Sequence, residues 1–116
     1  LKELRVSDLV VTNTENVPGY QVTAHLGMVQ GSTVRAKHVG RDIMAGLKNI
    51  VGGELRGYTE LMEDARGEAI RRMETQAQAL GADAVVNVRL ATSTITQGAA
   101  ELLAYGTAVK LAPTGS

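Results

Sequence analysis

A single small α+β domain is the fold class this sequence predicts, and three observations predict it. One stretch, from about Arg56 to Leu80, repeats apolar residues three or four apart. Segments before and after it alternate or run apolar over strand lengths, and glycine, proline and asparagine punctuate the joins. A chain of 116 residues also suits one core rather than two. The predicted order is β-β-α-α-β-β, an antiparallel-rich sheet packed by one long and one short helix. An N-terminal extension is expected at 1–8, the folded domain over 9–112, and a disordered tail at 113–116.

Leu9-Val10-Val11-Thr12 is a short β-branched run ended by the polar residues Asn13 to Asn16, and Pro18-Gly19 supplies turn chemistry before the next strand. From Tyr20 to Val34, alternation puts Tyr20, Val22, Ala24, Leu26 and Met28 on one face and Gln21, Thr23 and His25 on the other. Gly27 and Gly31 are expected to mark a bulge or bend within that strand. Asp42 is placed to cap a short helix in which Ile43, Leu47 and Ile50 recur at helical spacing, a cap worth about 1 kcal/mol, and Gly52-Gly53 stops it. The long helix presents Tyr58, Leu61, Met62, Ala65, Ala69, Met73, Ala77 and Leu80 to the core, with Glu68 at pairing distance from Arg71 and Arg72. Gly81 follows as a left-handed C-cap. Ala84 to Leu90 reads as a strand, Thr96-Gln97-Gly98 as a hairpin turn, and Leu102 to Leu111 as the returning strand.

Composition narrows function mainly by exclusion. Twelve basic residues balance twelve acidic ones, so no net field draws the protein to nucleic acid or anionic membrane. The absence of cysteine excludes disulfides, thiolate metal sites and a cysteine nucleophile, and fits a reducing compartment. With no Phe or Trp, and only Tyr20, Tyr58 and Tyr105 as aromatic rings, stacking platforms for bases or flavins are scarce. No apolar run approaches the ~20 residues of a membrane helix. A cytoplasmic protein with no nucleic-acid or membrane partner is expected.

Chemistry-bearing residues are few. His25 and His38 are the only imidazoles, and with Asp42 they make at most a thin metal constellation, short of the three or four converging donors a built site uses. The competing reading puts His25 on the polar side of a strand, His38 in a loop and Asp42 at a helix cap. Arg35, Lys37, His38, Arg41 and Lys48 precede or flank a predicted helix N-terminus, where an anion could sit, or they form a solvated basic loop. No Gly-x-Ser-x-Gly elbow and no phosphate-binding glycine loop is present. The sequence assigns no catalytic residue.

Three segments, VTNTENVPGYQV, VRAKHVGRDIMAGLKNIVGGELRGYTELMEDARGEAI and ALGADAVVNVRL, together resemble the YbjQ-like family over roughly Leu9 to Leu111. Its most specific features here are Pro18-Gly19-Tyr20, Arg41-Asp42, Ile50-Val51-Gly52-Gly53 with Tyr58 and Glu60 after it, and Gly81-Ala82-Asp83-Ala84. The resemblance implies a subunit shaped like the dodecin class, assembled as a ring-like homo-oligomer of five. It also brings the label "putative heavy-metal-binding domain", and with it a divalent metal as the only cofactor to consider. Arg41, Asp42, Gly52, Gly53, Tyr58 and Glu60 are the residues that would line a shared ligand site, or else they shape the turn between two helices. The functions to weigh are therefore a non-enzymatic binding or assembly module, a metal-binding protein using His25 and His38, and an enzyme with a small-ligand site at a subunit interface.

The final strand argues for self-association independently. Leu102, Ala104, Gly106 and Ala108 point one way and Leu103, Tyr105, Thr107, Val109 and Leu111 the other, so both faces are largely apolar. One small domain has too little chain to cover both, and a second copy of it is the expected partner.

Overall fold

The structure, a computed structural model, describes residues 8–36, 56–96 and 99–115. Within them the chain forms β1 (Val10–Val11), β2 (Tyr20–Ala36), α1 (Arg56–Ala79), β3 (Ala84–Thr96) and β4 (Ala99–Pro113). The four strands make one mixed sheet in the order β1-β3-β4-β2, with β1 parallel to β3 and the other pairs antiparallel. The α+β class and the strand-rich flanks of a long helix are thus as the sequence predicts. The predicted short helix, its Asp42 cap and the Gly52-Gly53 stop lie outside the described residues, as do Gln97 and Gly98 of the hairpin turn.

Val17-Pro18-Gly19-Tyr20 closes as a tight turn: the Tyr20 amide donates to the Val17 carbonyl at 3.1 Å, with Gly19 at φ 85°. Proline first and a positive-φ glycine second is the type II pattern, since only glycine enters that region without strain. The turn folds Val17 over Ala84, Val86 and Val109, and Val10, Tyr20, Val22 and Leu111 close around them as a small second core.

Helix α1 ends where its sequence says it should. Ala82 N–H donates to Ala77 C=O at 3.1 Å and Gly81 N–H to Gln78 C=O at 3.0 Å, with Gly81 at φ 76°. This pair of bonds is the Schellman motif, and Ala77 and Ala82 supply its apolar contact inside the main core. Next in the chain, the Asp83 carboxylate accepts from the Leu111 amide at 2.8 Å, and Lys110 Nζ donates to Gly81 C=O at 3.0 Å. The helix end is therefore clamped to β4. Replacing Asp83 by Ala strands the half-buried Leu111 N–H and is expected to lower stability by about 2 kcal/mol in urea unfolding, while Asp83→Asn, which keeps an acceptor, loses less.

The main core lies between α1 and the sheet. Ala65, Ala69, Met73 and Ala77, each four residues apart, have no exposed surface, and the last three pack with Val29, Val85, Ala104 and Ala108. Leu80, expected on this stripe, is 48% exposed because the helix ends one residue earlier and the chain turns away. On the solvent side Glu68 meets Arg71 at 3.1 Å and Arg72 at 3.3 Å. The Arg71 hydrogen bond, with the charges of both arginines behind it, holds the Glu68 carboxyl below its ordinary range. A lowered folded-state pKa contributes stability above the ordinary carboxylate range and loses it as pH falls through the lowered value. Glu68→Gln should lower the neutral-pH Tm slightly and flatten its fall in acid by the same small amount, an effect that added salt erases.

Strand β2 departs from the predicted alternation. Its ladder with β4 slips between Val22 and Ala24 and again between His25 and Gly27, where Gly27 takes φ 123°. Each bulge inserts a residue and flips the following side chains to the other face. Tyr20, Val22 and Met28 share the face away from α1, as predicted, because the two shifts cancel: Tyr20 and Val22 join the small second core and Met28 is 73% exposed, while Ala24 and Leu26 between the shifts depart from that face and Leu26 packs under α1. Gly27 belongs to a bulge as expected. Gly31 does not: it pairs regularly with Ala104 and lies beneath the helix, where an added Cβ would meet Ala69 O, Met73 N and, at 2.6 Å, Arg72 Cβ.

The expected tail also needs correction. β4 continues through Pro113, opposite Tyr20, and the Thr114 amide donates to Gly19 C=O at 3.0 Å, so the ladder holds residues 113 and 114.

Candidate functional site

Of the residues singled out from sequence, His38, Arg41, Asp42, Gly52 and Gly53 lie outside the described residues. Tyr58 falls in the first turn of α1, and Glu60 is exposed in the turn that follows. His25 is exposed on β2, opposite Val109 in the ladder. The described residues bring no two of these together into a site. They also contain no group of three or more His, Cys, Asp or Glu side chains placed to hold a metal ion. His25 alone is one donor where structural metal sites use four, so the described residues do not fit a heavy-metal centre. Purified protein is expected to bind zinc or copper no more tightly than micromolar; calorimetry showing a stoichiometric nanomolar site lost in His38→Ala would contradict this.

What the fold does assemble is an uncovered sheet face. Opposite α1, the registers align Met28 with Thr107, Gln30 with Tyr105 and Arg89, Ser32 with Leu103 and Ala91, and Val34 with Glu101 and Ser93. Cross-strand partners in an antiparallel sheet share a face, so these rows form one surface. Leu103, Tyr105 and Thr107 are half-buried on it; Met28 and Val34 are 73% and 51% exposed. The loop carrying Val17 covers one end of this face, at Ala84, Val86 and Val109, and among the described residues nothing covers the rest. Sequence alternation in β4 anticipates Leu103, Tyr105 and Thr107. Alternation in β2 anticipates Met28 on the face of Tyr20 and Val22, whereas Gln30 and Arg89 were not legible.

Arg89 pins the rim of the face. Its Nη1 donates to the Asn13 carbonyl at 2.9 Å and to Val88 C=O at 3.0 Å, tying the loop after β1 to β3. In the same place Asn87 takes φ 55°, a left-handed conformation that asparagine tolerates better than most residues, and its amide donates to Thr14 C=O at 3.0 Å.

The family model described as "Putative heavy-metal-binding" matches residues 9–112 of this chain. The chain belongs to the YbjQ family. Among its relatives, the UPF0145 protein of Hahella chejuensis is 70% identical over 101 residues, which are 87% of this chain and 97% of that protein. The UPF0145 protein of Archaeoglobus fulgidus is 64% identical over 104 residues, 90% of this chain and 96% of that protein. A crystal structure of a protein of unknown function of the DUF74 family from Pediococcus pentosaceus superposes with a TM-score of 0.62 at 13% identity, covering 90% of this chain and 98% of the other. That likeness shows the fold. The YbjQ family label names heavy metals, yet two segments of its signature serve the backbone: Pro18-Gly19-Tyr20 forms a turn, and Gly81-Ala82-Asp83-Ala84 forms a helix cap and a clamp on β4. No helix among the described residues is long and apolar enough to cross a membrane.

Proposed function

We propose that this member of the YbjQ family is a non-enzymatic binding or assembly module that works as a ring-like homo-oligomer. The observation that carries the reading is the uncovered sheet face, where Leu103, Tyr105, Met28 and Val34 lie in adjacent rows with no part of the described chain over them. Exposed apolar rows of this kind on a small protein mark a surface that another protein covers. Shape supports the same reading: the radius of gyration is 17.9 Å and the long axis 60 Å, against about 13 Å for the radius of a compact domain near this length. An extended subunit shields little of its own sheet. A second copy is the economical cover, since closed symmetry buries such a face on every subunit at once. The family resemblance supplies the number five.

Light scattering coupled to size exclusion tests this directly. The expected mass at micromolar concentration is about five times the 12.2 kDa chain, or a whole multiple of that. Leu103→Arg, which puts a charge on the face without touching the main core, should reduce the mass while the far-ultraviolet dichroism of α1 persists. A folded wild-type monomer overturns the proposal.

A further inference from the structure

We propose that the outer edge of β3, from Arg89 to Thr94, is a self-pairing edge through which two copies of the chain join antiparallel about a two-fold axis. The inference rests on the self-association proposed above but uses a different surface, the edge of the sheet rather than its open face.

The two outer edges of the sheet are treated differently. Along β2, bulges interrupt the strand on either side of His25. Farther on, side chains cap its outward backbone groups: Gln30 N–H donates to Gln76 Oε1 at 2.9 Å, Arg72 Nη1 donates to Ser32 C=O at 2.7 Å, and Arg35 Nη1 donates to Val34 C=O at 3.3 Å. Bulges and charged caps are the devices by which sheet edges refuse another strand. On the opposite side, β3 is paired by β1 at Ala84 and Val85 and by the following loop as far as Val88, whose amide donates to Thr12 C=O at 3.0 Å. Beyond Val88, among the described residues, β3 has no outer backbone partner.

Register shifts bound the open stretch, between Val86 and Arg89 and between Thr94 and Thr96, but from Arg89 to Thr94 its ladder with β4 is regular and no side chain caps its outward backbone groups among the described residues. Leu90-Ala-Thr-Ser-Thr-Ile-Thr96 has no charge and no proline, and Thr, Ile and Leu suit an extended chain. Its side chains are exposed from Arg89 to Ile95, with Leu90 at 50% and Ile95 at 55%. The stretch is also self-complementary. A two-fold axis perpendicular to the sheet pairs residues that share a face; centred on Thr92, it sets Ala91 opposite Ser93 and Leu90 opposite Thr94, and the pairing stops short of the register shift between Thr94 and Thr96. No like charges meet, and the outward N–H and C=O groups of each copy find partners on the other. The result is a continuous sheet, β2-β4-β3-β3-β4-β2, with both helices on one side and both open faces on the other. A head-to-tail ring contact uses two different patches, so a self-pairing edge is left over to join rings in pairs, giving a mass of about ten chains.

Because the chain has no cysteine, Thr92→Cys carries the only thiol. Under mild oxidation it should form a disulfide-linked dimer on a non-reducing denaturing gel, with Ser93→Cys reporting the neighbouring register and Thr75→Cys, exposed on α1, remaining uncrosslinked. Thr92→Lys should halve the native mass with helical dichroism unchanged; if that variant unfolds, the cysteine variants decide. An assembled wild type in which neither Thr92→Cys nor Ser93→Cys crosslinks above Thr75→Cys overturns the edge and leaves the open-face reading standing. A wild type that is strictly dimeric supports the edge and overturns the ring. A folded wild-type monomer overturns both.

Discussion

Gly31→Ala should lower the stability of this protein by about 3 kcal/mol, a fall in Tm of about 10 °C, although alanine is elsewhere the easier residue to order in a strand. The Cβ it adds would lie against the carbonyl oxygen of Ala69 and the amide nitrogen of Met73. Both are helix backbone atoms and have no rotamer through which to give. Either the helix lifts away or β2 bows, and each response loses packing along the whole stripe from Ala65 to Ala77. The same close approach lets the buried Thr33 hydroxyl donate to Ala65 C=O at 3.0 Å and brings Gln76 and Arg72 onto the outer edge of β2. A lifted helix would release those caps. The variant is therefore expected to aggregate on heating as well as to melt early, and differential scanning fluorimetry with light scattering reads both. An unchanged Tm would mean that the helix is not held against Gly31 as described.

Gly31 also shows where reading the sequence stops. A glycine inside a strand signals either a bulge or a close backbone approach, and nothing local separates the two. Gly27 turned out to be the first and Gly31 the second, a distinction set by α1, more than thirty residues away. What the sequence conveys well is local. The extent of α1, its glycine cap, the Pro18-Gly19 turn and the β3–β4 hairpin all follow from residues within one or two turns of each other. What it conveys poorly is phase. Two register shifts in β2 and two in β3 interrupt the alternation, so Gln30 and Arg89 had no visible assignment and Ala24 and Leu26 had the wrong one, while Leu103, Tyr105 and Thr107, on the regular part of β4, were assigned as found. For the candidate ligand residues the reason is different: Tyr58 and Glu60 sit on α1 and His25 on β2, elements that do not bring them together, and the rest fall outside the described residues.

Met73→Ala is the second large effect to expect. Met73 has no exposed surface and is the largest fully buried side chain among the described residues, and the helix positions one turn to either side are both alanine. A core built from Ala69, Ala77, Ala104 and Ala108 around one methionine and two valines has few flexible side chains that could move into the space left behind. The loss should therefore sit toward the upper part of the range for such truncations, about 4 kcal/mol, in a domain whose total stability is about 5–15 kcal/mol. Met73→Leu, which nearly conserves volume, should cost about 1 kcal/mol. Combining the truncation with Gly31→Ala tests whether the two sites share one cause. Gly31 would collide with the backbone of Met73 and not with its side chain, so emptying the side-chain volume gives the new Cβ nowhere to go. The double variant should show no rescue, its loss at least matching the larger single one. A double variant more stable than Gly31→Ala alone would show that the helix settles into the vacated space, and that side-chain bulk, rather than backbone contact, sets the distance between α1 and the sheet.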